Sequence, residues 1–158
     1  MNIPYVSVHG GHSGGYCGHA TDQLTDIVAR YAEAGFEWVC LTEHMPSPSE
    51  AMMAPEEAES GFTVDSWRKN FSDYMAEARR LKSKYAGRMD ILVGFETDAY
   101  SGYQDAVASL IEEYEPDMIV GSVHHVHDLY IDFDDDRYRE ATLLSGSIEQ
   151  LYCDYFDK

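Results

Sequence analysis

The 158-residue chain has 44% hydrophobic and 13% aromatic residues, which excludes an intrinsically disordered protein and suffices for one domain with a substantial core. Its 11 basic and 29 acidic residues give a formal net charge of −18 when histidine is counted as neutral. Because phosphate backbones and anionic lipids repel a polyanion, this charge argues against nucleic acid and membrane surfaces as partners.

The first part of the chain predicts two buried strands joined by an amphipathic helix. Residues Ile3–Val8 are mostly apolar and β-branched, and this short run predicts a strand that ends at the following histidine. A helix is predicted to begin near Thr21 and to end at Gly35, because apolar residues between them recur at helical spacing. Phe36–Thr42 has the same apolar character and predicts the second strand. Met45–Gly61 contains three prolines and predicts an exposed loop.

The middle of the chain continues this alternation of strand and helix. Thr63–Tyr85 predicts a long helix with one apolar face, and Ile91–Phe95 predicts the third strand. Tyr103–Tyr114 has apolar residues at helical spacing, and Met118–Val123 predicts the fourth strand. Strands that alternate with helices are typical of a parallel sheet wrapped by helices, so the predicted fold class is α/β.

The end of the chain contains an acidic segment and a final helix. Tyr130–Asp136 predicts a small strand or a turn, because it lacks the glycine and the terminal glutamate of a calcium-binding EF-hand loop. Ser147 and Gln150 have the spacing of a capping box, which predicts a helix start. The apolar residues that follow form one stripe: Ile148, Leu151, Tyr152, Tyr155 and Phe156.

The histidines and two acidic residues occupy a particular place in this pattern. They are expected in the segments that follow the predicted strands: His9, His12 and His19, then His44, then Glu96 and Asp98, then His124, His125 and His127. Because the C-terminal ends of parallel strands open on one face of the sheet, these side chains are expected to meet there. Imidazole and carboxylate groups bind zinc, iron and manganese ions, so the pattern predicts a metal centre. The alternative is a flexible glycine-rich loop whose histidines are only solvated.

Some of these residues have competing interpretations. His124 and His125 are adjacent on an extended segment and point to opposite faces, so we expect His124 to enter the site and His125 to support it or to face solvent. His127 is interpreted as a surface residue. Asp98 is expected either to hydrogen-bond a metal-binding side chain without binding the metal itself or to begin a helix. Cys17 is interpreted as a small buried packing residue.

The three cysteines indicate the compartment. Cys17, Cys40 and Cys153 form neither an even disulfide framework nor a C-x-x-C pair, which favours a reducing environment. No signal peptide precedes the first strand, and no apolar run approaches the length of a membrane span. The sequence therefore predicts a soluble cytoplasmic protein.

Four blocks of sequence, each at a predicted strand end, resemble the PHP (polymerase and histidinol phosphatase) superfamily, and its histidinol-phosphate phosphatases above all. These blocks are His12–Ala20 (HSGGYCGHA), Leu41–Pro46 (LTEHMP), Gly94–Asp98 (GFETD), and Gly121–Val126 (GSVHHV) with Ile131–Asp134 (IDFD) after it. The resemblance implies a distorted (β/α)7 barrel, of which about four strands are present here. It also implies up to three zinc, manganese or iron ions and removal of phosphate from L-histidinol phosphate in histidine biosynthesis.

The resemblance extends to individual residues. Five positions match the family's metal ligands: His12, His19, His44, Glu96 and His124. The family pattern makes Glu96 the bridge between two ions, and we assign catalytic roles to Glu96 and His124. The family opens with His-x-His, whereas here Gly10 stands two residues before His12 and His9 stands three before it. His9 is included as a sixth candidate ligand, because the extra residue could bring its side chain round to the site.

The family's members are longer than this chain, so residues 1–158 are expected to form the N-terminal portion of a PHP domain. The chain is then either the front of a longer protein or a reduced relative that assembles differently. The expected function is a metal-dependent phosphatase for a small phosphate monoester, L-histidinol phosphate. The alternatives are a PHP phosphoesterase of other specificity and a metal-binding or regulatory module without activity. An open sheet edge and the apolar stripe of the last helix predict self-association.

Overall fold

Four parallel strands form the main sheet of the computed structural model, which describes residues 4–158. The strands are β1 (Tyr5–Gly10), β2 (Phe36–His44), β3 (Asp90–Glu96), β4 (Met118–Val120), β5 (His125–Val126) and β6 (Leu129–Tyr130). The helices are α1 (Leu24–Glu33), α2 (Pro55–Glu59), α3 (Val64–Tyr85), α4 (Tyr103–Tyr114), α5 (Asp135–Ser145) and α6 (Ile148–Phe156). The main sheet has the order β1-β2-β3-β4, and β5 and β6 form a separate antiparallel pair. This arrangement confirms the predicted α/β class.

The main core lies between the sheet and the long helix α3. Phe71, Tyr74 and Leu81 of α3 are buried against apolar residues of β2 and β3 such as Val39 and Phe95. Side chains three, four and seven residues apart share one face of a helix, which is why the apolar stripe of α3 covers the sheet. The Tyr74 hydroxyl donates to the backbone carbonyl oxygen of Gly94 in β3 at 2.8 Å, so this buried hydroxyl has a hydrogen-bond partner.

The local sequence explains where several helices begin and end. Thr63 caps α3 through a capping box, in which the Ser66 backbone N–H donates to the Thr63 Oγ1 at 3.2 Å. Ser147 caps α6 by accepting from the Gln150 backbone N–H, as predicted. Gly35 follows α1 with φ +80°, the left-handed conformation that glycine adopts without strain.

Several predicted boundaries are wrong. β4 ends at Val120 rather than at Val123, and Ile3 of the first predicted strand lies outside the described residues. His9 and His44 lie within β1 and β2 instead of following them. His125 lies in β5.

Two segments that were predicted without helices, one as a loop and one as a small strand or turn, contain helical residues. The predicted loop Met45–Gly61 contains a 3-10 turn (Glu50–Met52) and α2, whose Glu57 is buried. The acidic segment Tyr130–Asp136 ends β6 and then begins α5, where Asp134 caps the helix by accepting from the Arg137 backbone N–H. The helix α5 was not predicted.

Most of the exposed large apolar side chains are concentrated at two places. The prediction that the first strand is buried is wrong, because Tyr5 and Val8 of β1 are exposed along one edge of the main sheet. A second group lies on α5 and α6: Leu143, Leu144, Ile148, Tyr152 and Phe156. Self-association through these surfaces stays a prediction. Within residues 4–158, no helix combines the length and the apolar character needed to cross a bilayer.

Candidate metal centre

Three imidazole rings surround one carboxylate oxygen at the end of β3. Glu96 is the last residue of β3 and is 4% exposed. Its Oε2 lies 3.2 Å from the His12 Nε2, 3.3 Å from the His44 Nδ1 and 3.5 Å from the His9 Nε2. His44 is the β2 residue that pairs with Glu96 across the sheet, so the parallel register itself brings these two side chains together.

The second Glu96 oxygen faces the segment that follows β4. The Ser122 hydroxyl donates to the Glu96 Oε1, and the His124 Nε2 lies 3.5 Å from the same oxygen. Behind the His124 ring, the Asp98 Oδ1 lies 3.5 Å from its Nδ1. The buried His125 points away from Glu96, and its Nδ1 lies 2.8 Å from the same Asp98 oxygen. As expected from their adjacency, His124 enters the site and His125 does not.

An irregularity in β1 brings His9 to the site. Ser7 of β1 pairs with Val39 of β2, and Gly10 pairs with Leu41. Two residues of β1 therefore lie between these pairs, whereas only one residue of β2 does. One extra residue in a strand bends it and changes the direction of its side chains. The His9 Nδ1 then lies 2.7 Å from the Thr42 Oγ1, which leaves the Nε2 directed at Glu96.

A second group of donor atoms lies beside the first. The His19 Nε2 is 3.1 Å from the His12 Nδ1 and 3.8 Å from the Cys17 Sγ. On the other side of the His19 ring, the Glu57 Oε1 lies 3.7 Å from the Nδ1. Cys17 is buried as predicted, but its sulfur faces imidazole nitrogens rather than only apolar atoms.

The protonation states differ sharply between neighbouring groups. Burial raises the pKa of Glu96 by itself, but the contact with the His12 imidazole and the hydrogen bond from Ser122 outweigh this effect and lower the pKa to about 2. Burial lowers the pKa of His44 to about 3, so its ring is neutral, which is the form that binds metals. The His12 pKa rises to about 9, because contacts with Cys17 and with the carboxylate of Glu96 outweigh the lowering effect of burial.

The pKa values of other groups in the site are shifted as well. Contacts with Cys17 and with the carboxylate of Glu57 raise the pKa of His19 to about 10. Burial raises the pKa of the Cys17 thiol, but hydrogen bonds with the two histidines outweigh it and lower the pKa to about 6. Burial raises the pKa of Glu43, the residue before His44, to about 8. Strong pKa shifts that cluster around one cleft are typical of functional sites.

The donor set fits a divalent metal ion. The buried Glu96 Oε2 has no hydrogen-bond partner in the described part of the chain, although three imidazole nitrogens lie within 3.5 Å. Glu96 belongs to two groups of three donors whose ligand atoms lie within 4.8 Å of one another: His9, His12 and Glu96, and His44, Glu96 and His124. Carboxylate and imidazole ligands suit zinc, iron and manganese. A cation among these atoms would give the orphaned oxygen a partner.

The structure thus brings together all six side chains predicted as ligands: His9, His12, His19, His44, Glu96 and His124. His127 lies elsewhere, with its Nε2 2.9 Å from the Asp154 Oδ2 of α6. Three residues that were not predicted also line the cleft: Glu56, Tyr130 and Asp132. Their positions depend on α2, which was not predicted, and on the β5–β6 pair, of which only a small strand or turn over Tyr130–Asp136 was predicted. The IDFD block did contain Asp132, although its role was not assigned.

Comparisons with known proteins match this arrangement. Residues 10–158 match the family model described as PHP domain. A Schizosaccharomyces pombe protein named as a probable histidinol-phosphatase is 36% identical over 154 residues, which cover 96% of this chain and 49% of that protein. The crystal structure of a candidate histidinol phosphatase from Listeria monocytogenes superposes with a TM-score of 0.76 at 26% identity, covering 97% of this chain and 59% of that one.

A second solved structure shows the same fold at lower identity. A histidinol phosphate phosphatase from Lactococcus lactis, crystallised with zinc, L-histidinol and phosphate, superposes with a TM-score of 0.59 at 17% identity. The superposition covers 89% of this chain and 50% of that one. The chain thus spans about half the length of the curated relative and of these solved structures.

Proposed function

The chain belongs to the PHP domain family, as its sequence blocks predicted, and from this membership we propose that it is the N-terminal part of a metal-dependent phosphatase acting on L-histidinol phosphate. The matched relative is named a histidinol-phosphatase, and the Lactococcus lactis structure contains zinc, L-histidinol and phosphate. These properties belong to those proteins. They indicate the reaction to test here.

One observation carries the proposal. The Glu96 Oε2 is buried, ionised and without a hydrogen-bond partner among the described residues, and nitrogens of His9, His12 and His44 face it. An ionised carboxylate is rarely buried unless a cation or hydrogen bonds compensate its charge. We assign the ligand role to His9, His12, His19, His44, Glu96 and His124, for zinc, manganese or iron, with up to three ions in the complete family fold.

A bound divalent metal supplies hydroxide at neutral pH and offsets charge on the phosphate oxygens. The chain's own residues prepare the cleft for this chemistry. Thr42 and Asp98 contact the Nδ1 atoms of His9 and His124, so that the Nε2 atoms face Glu96. Ser122 holds the Glu96 Oε1 by donating to it. Catalytic roles are therefore proposed for Glu96 and His124, which meet at the centre of the cleft.

The cleft suits a small substrate with a cationic group. Its volume is about 330 Å³, and the carboxylates of Glu56 and Asp132 line it together with the Tyr130 ring. Carboxylates attract an ammonium group and repel a second anion. The ammonium of L-histidinol phosphate would therefore be favoured at the acidic side, while its phosphate requires bound metal to enter. This charge pattern supports the phosphate ester of an amino alcohol over the phosphate ester of an uncharged sugar, which has no ammonium group.

The direct test is phosphate release from L-histidinol phosphate by the chain loaded with zinc, manganese or iron(II). Phosphoserine and glucose 6-phosphate serve as competing monoesters. We expect hydrolysis above the metal-only rate, fastest with L-histidinol phosphate, and expect His124→Ala to abolish it while His127→Ala retains it. Stoichiometric metal binding without any hydrolysis would favour the metal-binding module instead. Equal rates with all three esters would remove the substrate assignment.

Asp98 offers a further prediction about how the ligands are held. Replacing Asp98 by Asn removes the charge that contacts the Nδ1 of both His124 and His125. A carboxylate behind a metal-binding histidine fixes its orientation and raises its basicity, and its loss typically weakens metal binding about 10- to 100-fold. We expect Asp98→Asn to weaken zinc binding in that range, as measured by competition with a chelating dye. The exposed Asp105→Asn on α4 is the control and should bind as the unmodified chain does.

A further inference from the structure

A cavity separate from the metal centre lies between α3 and α4. Its volume is about 350 Å³, and residues of both helices and of the segments that follow β2 and β3 line it. None of these residues lines the Glu96 cleft. Pockets that bind small molecules usually have volumes of about 300–1,000 Å³, so this cavity has the size for a metabolite no larger than an amino acid or a small sugar.

The cavity exists because α4 does not pack closely on α3. Ala106, Leu110 and Tyr114 are four residues apart and share the face of α4 that lines the cavity. All three are only partly buried, and α4 has no fully buried residue. The Phe71 ring of α3 meets the Tyr114 ring edge to face, with the centroids 5.2 Å apart. The wall between the two helices is therefore apolar and aromatic, which suits a flat apolar group.

A buried phenol in the cavity wall lacks a partner. The Tyr100 side chain is 3% exposed, and its hydroxyl has no hydrogen-bond partner among residues 4–158, whereas the buried hydroxyl of Tyr74 has one. Burial and the charge of Asp98 raise the pKa of Tyr100 to about 12, so the hydroxyl stays protonated at neutral pH. Leaving a buried donor unpaired costs free energy, and an acceptor atom of a ligand would remove that cost.

The cavity also carries one side chain of each charge. Arg68 lines it from α3, and Glu113 lines it from α4. Other basic residues of α3 have acidic partners, as Lys69, Arg80 and Lys82 do. Neither Arg68 nor Glu113 forms an ion pair with any residue in the described part of the chain. A guanidinium binds a carboxylate with two parallel hydrogen bonds, and a carboxylate accepts from an ammonium group.

We propose that this cavity is a second binding site, which takes an aromatic α-amino acid in its zwitterionic form. Arg68 and the Tyr100 hydroxyl bind the ligand carboxylate, and Glu113 binds its ammonium group. The aromatic side chain packs against Phe71 and Leu110. A purely apolar ligand would leave both charges unused, and a simple anion would be repelled by Glu113. The inference rests on neither the proposed metal binding nor the proposed phosphatase reaction.

The test is calorimetric titration of the chain with L-phenylalanine, with no metal added so that the ligand carboxylate cannot bind through a metal ion. Three probes each lack one feature of the ligand: 3-phenylpropionate has no ammonium group, phenethylamine has no carboxylate, and L-alanine has no ring. We expect one molecule of L-phenylalanine to bind per chain. Each of the three other probes should bind at least about 5-fold more weakly, because each loses one set of contacts.

Two variants assign the charged ends of the ligand. Arg68→Gln should bind L-phenylalanine at least about 5-fold more weakly and no better than phenethylamine, since the carboxylate loses its partner. Glu113→Gln should bind L-phenylalanine no better than 3-phenylpropionate. The matched controls are Glu112→Gln, at the neighbouring exposed position of α4, and Arg139→Gln, at an exposed position of α5. Both controls should bind L-phenylalanine as the unmodified chain does.

A third variant tests the cavity without changing a charge. Ala106→Leu adds bulk to the cavity wall and should abolish binding, while circular dichroism and the midpoint of thermal unfolding show whether the chain remains folded. The absence of saturable binding up to about 10 mM L-phenylalanine would overturn the inference. Binding that is unchanged in Arg68→Gln, Glu113→Gln and Ala106→Leu would place the ligand elsewhere and would overturn it as well. Equal affinity for L-phenylalanine and L-alanine would remove the aromatic class.

Discussion

Glu96→Gln is expected to remove most metal binding from the chain. Glutamine keeps the shape of the side chain but removes the negative charge that four imidazole rings face within 3.5 Å. Because the carboxylate contributes to both Glu96-centred groups of donor atoms, its loss should affect more than one ion. We expect affinity to fall by more than about 100-fold, beyond the effect of losing a supporting carboxylate. Elemental analysis after dialysis measures the metal that stays bound, and titration with zinc measures the affinity.

Two controls separate charge from folding in this experiment. Glu112→Gln makes the same substitution at an exposed position of α4, and His127→Ala removes a histidine that lies outside the cleft. Both should retain the metal content of the unmodified chain. An equal loss in all three variants, or none in Glu96→Gln, would contradict the central place given to this carboxylate.

Gly94→Ala is expected to have the largest effect on folding. Gly94 of β3 pairs with Met118 of β4, and an added Cβ would lie 1.8 Å from the Met118 backbone oxygen. Neither backbone can yield without separating the two strands. Overpacking of this kind lowers the free energy of unfolding by about 3 kcal/mol or more, and the midpoint of thermal unfolding should fall by roughly 6–12 °C for a chain of this size. Urea and thermal unfolding followed by circular dichroism measure both.

Gly121→Ala is the matched control for the folding experiment. No atom lies within 4 Å of a Cβ added at Gly121, and its φ lies outside the left-handed region. We therefore expect a change below about 0.5 kcal/mol, as for most exposed substitutions. If Gly94→Ala were as stable as Gly121→Ala, the close packing of β3 on β4 would have to be wrong.

The sheet and its helices could be predicted because their signals are local. The run Phe36–Thr42 is apolar except at Glu37 and Thr42, which is close to the pattern of a strand buried on both faces, and β2 begins at the same residue. α3 has both an apolar stripe and a capping residue at Thr63, and its limits agree with the prediction to within one residue. The meeting of histidines with Glu96 followed from the direction of parallel strands alone.

The missed features depend on contacts between distant segments. Glu57 looked like one of several acids in an exposed loop, but it is buried because the Gly18 backbone N–H donates to it from 39 residues away. α5 was missed because Leu143 and Leu144 are exposed and leave no continuous apolar stripe. The sequence nevertheless contains a signal for each end of α5. Asp134 caps its first turn, and Gly146 ends it in the left-handed conformation.

The irregularity in β1 has a consequence for detecting distant relatives. His9 and His12 are separated by two residues rather than one, yet their ring centroids lie 5.4 Å apart beside the same carboxylate. A search pattern written as His-x-His would reject this chain, although the three-dimensional constellation of donors is intact. Templates defined by the distances between side-chain atoms would recover such chains, because a strand can absorb an inserted residue while its functional atoms keep their places.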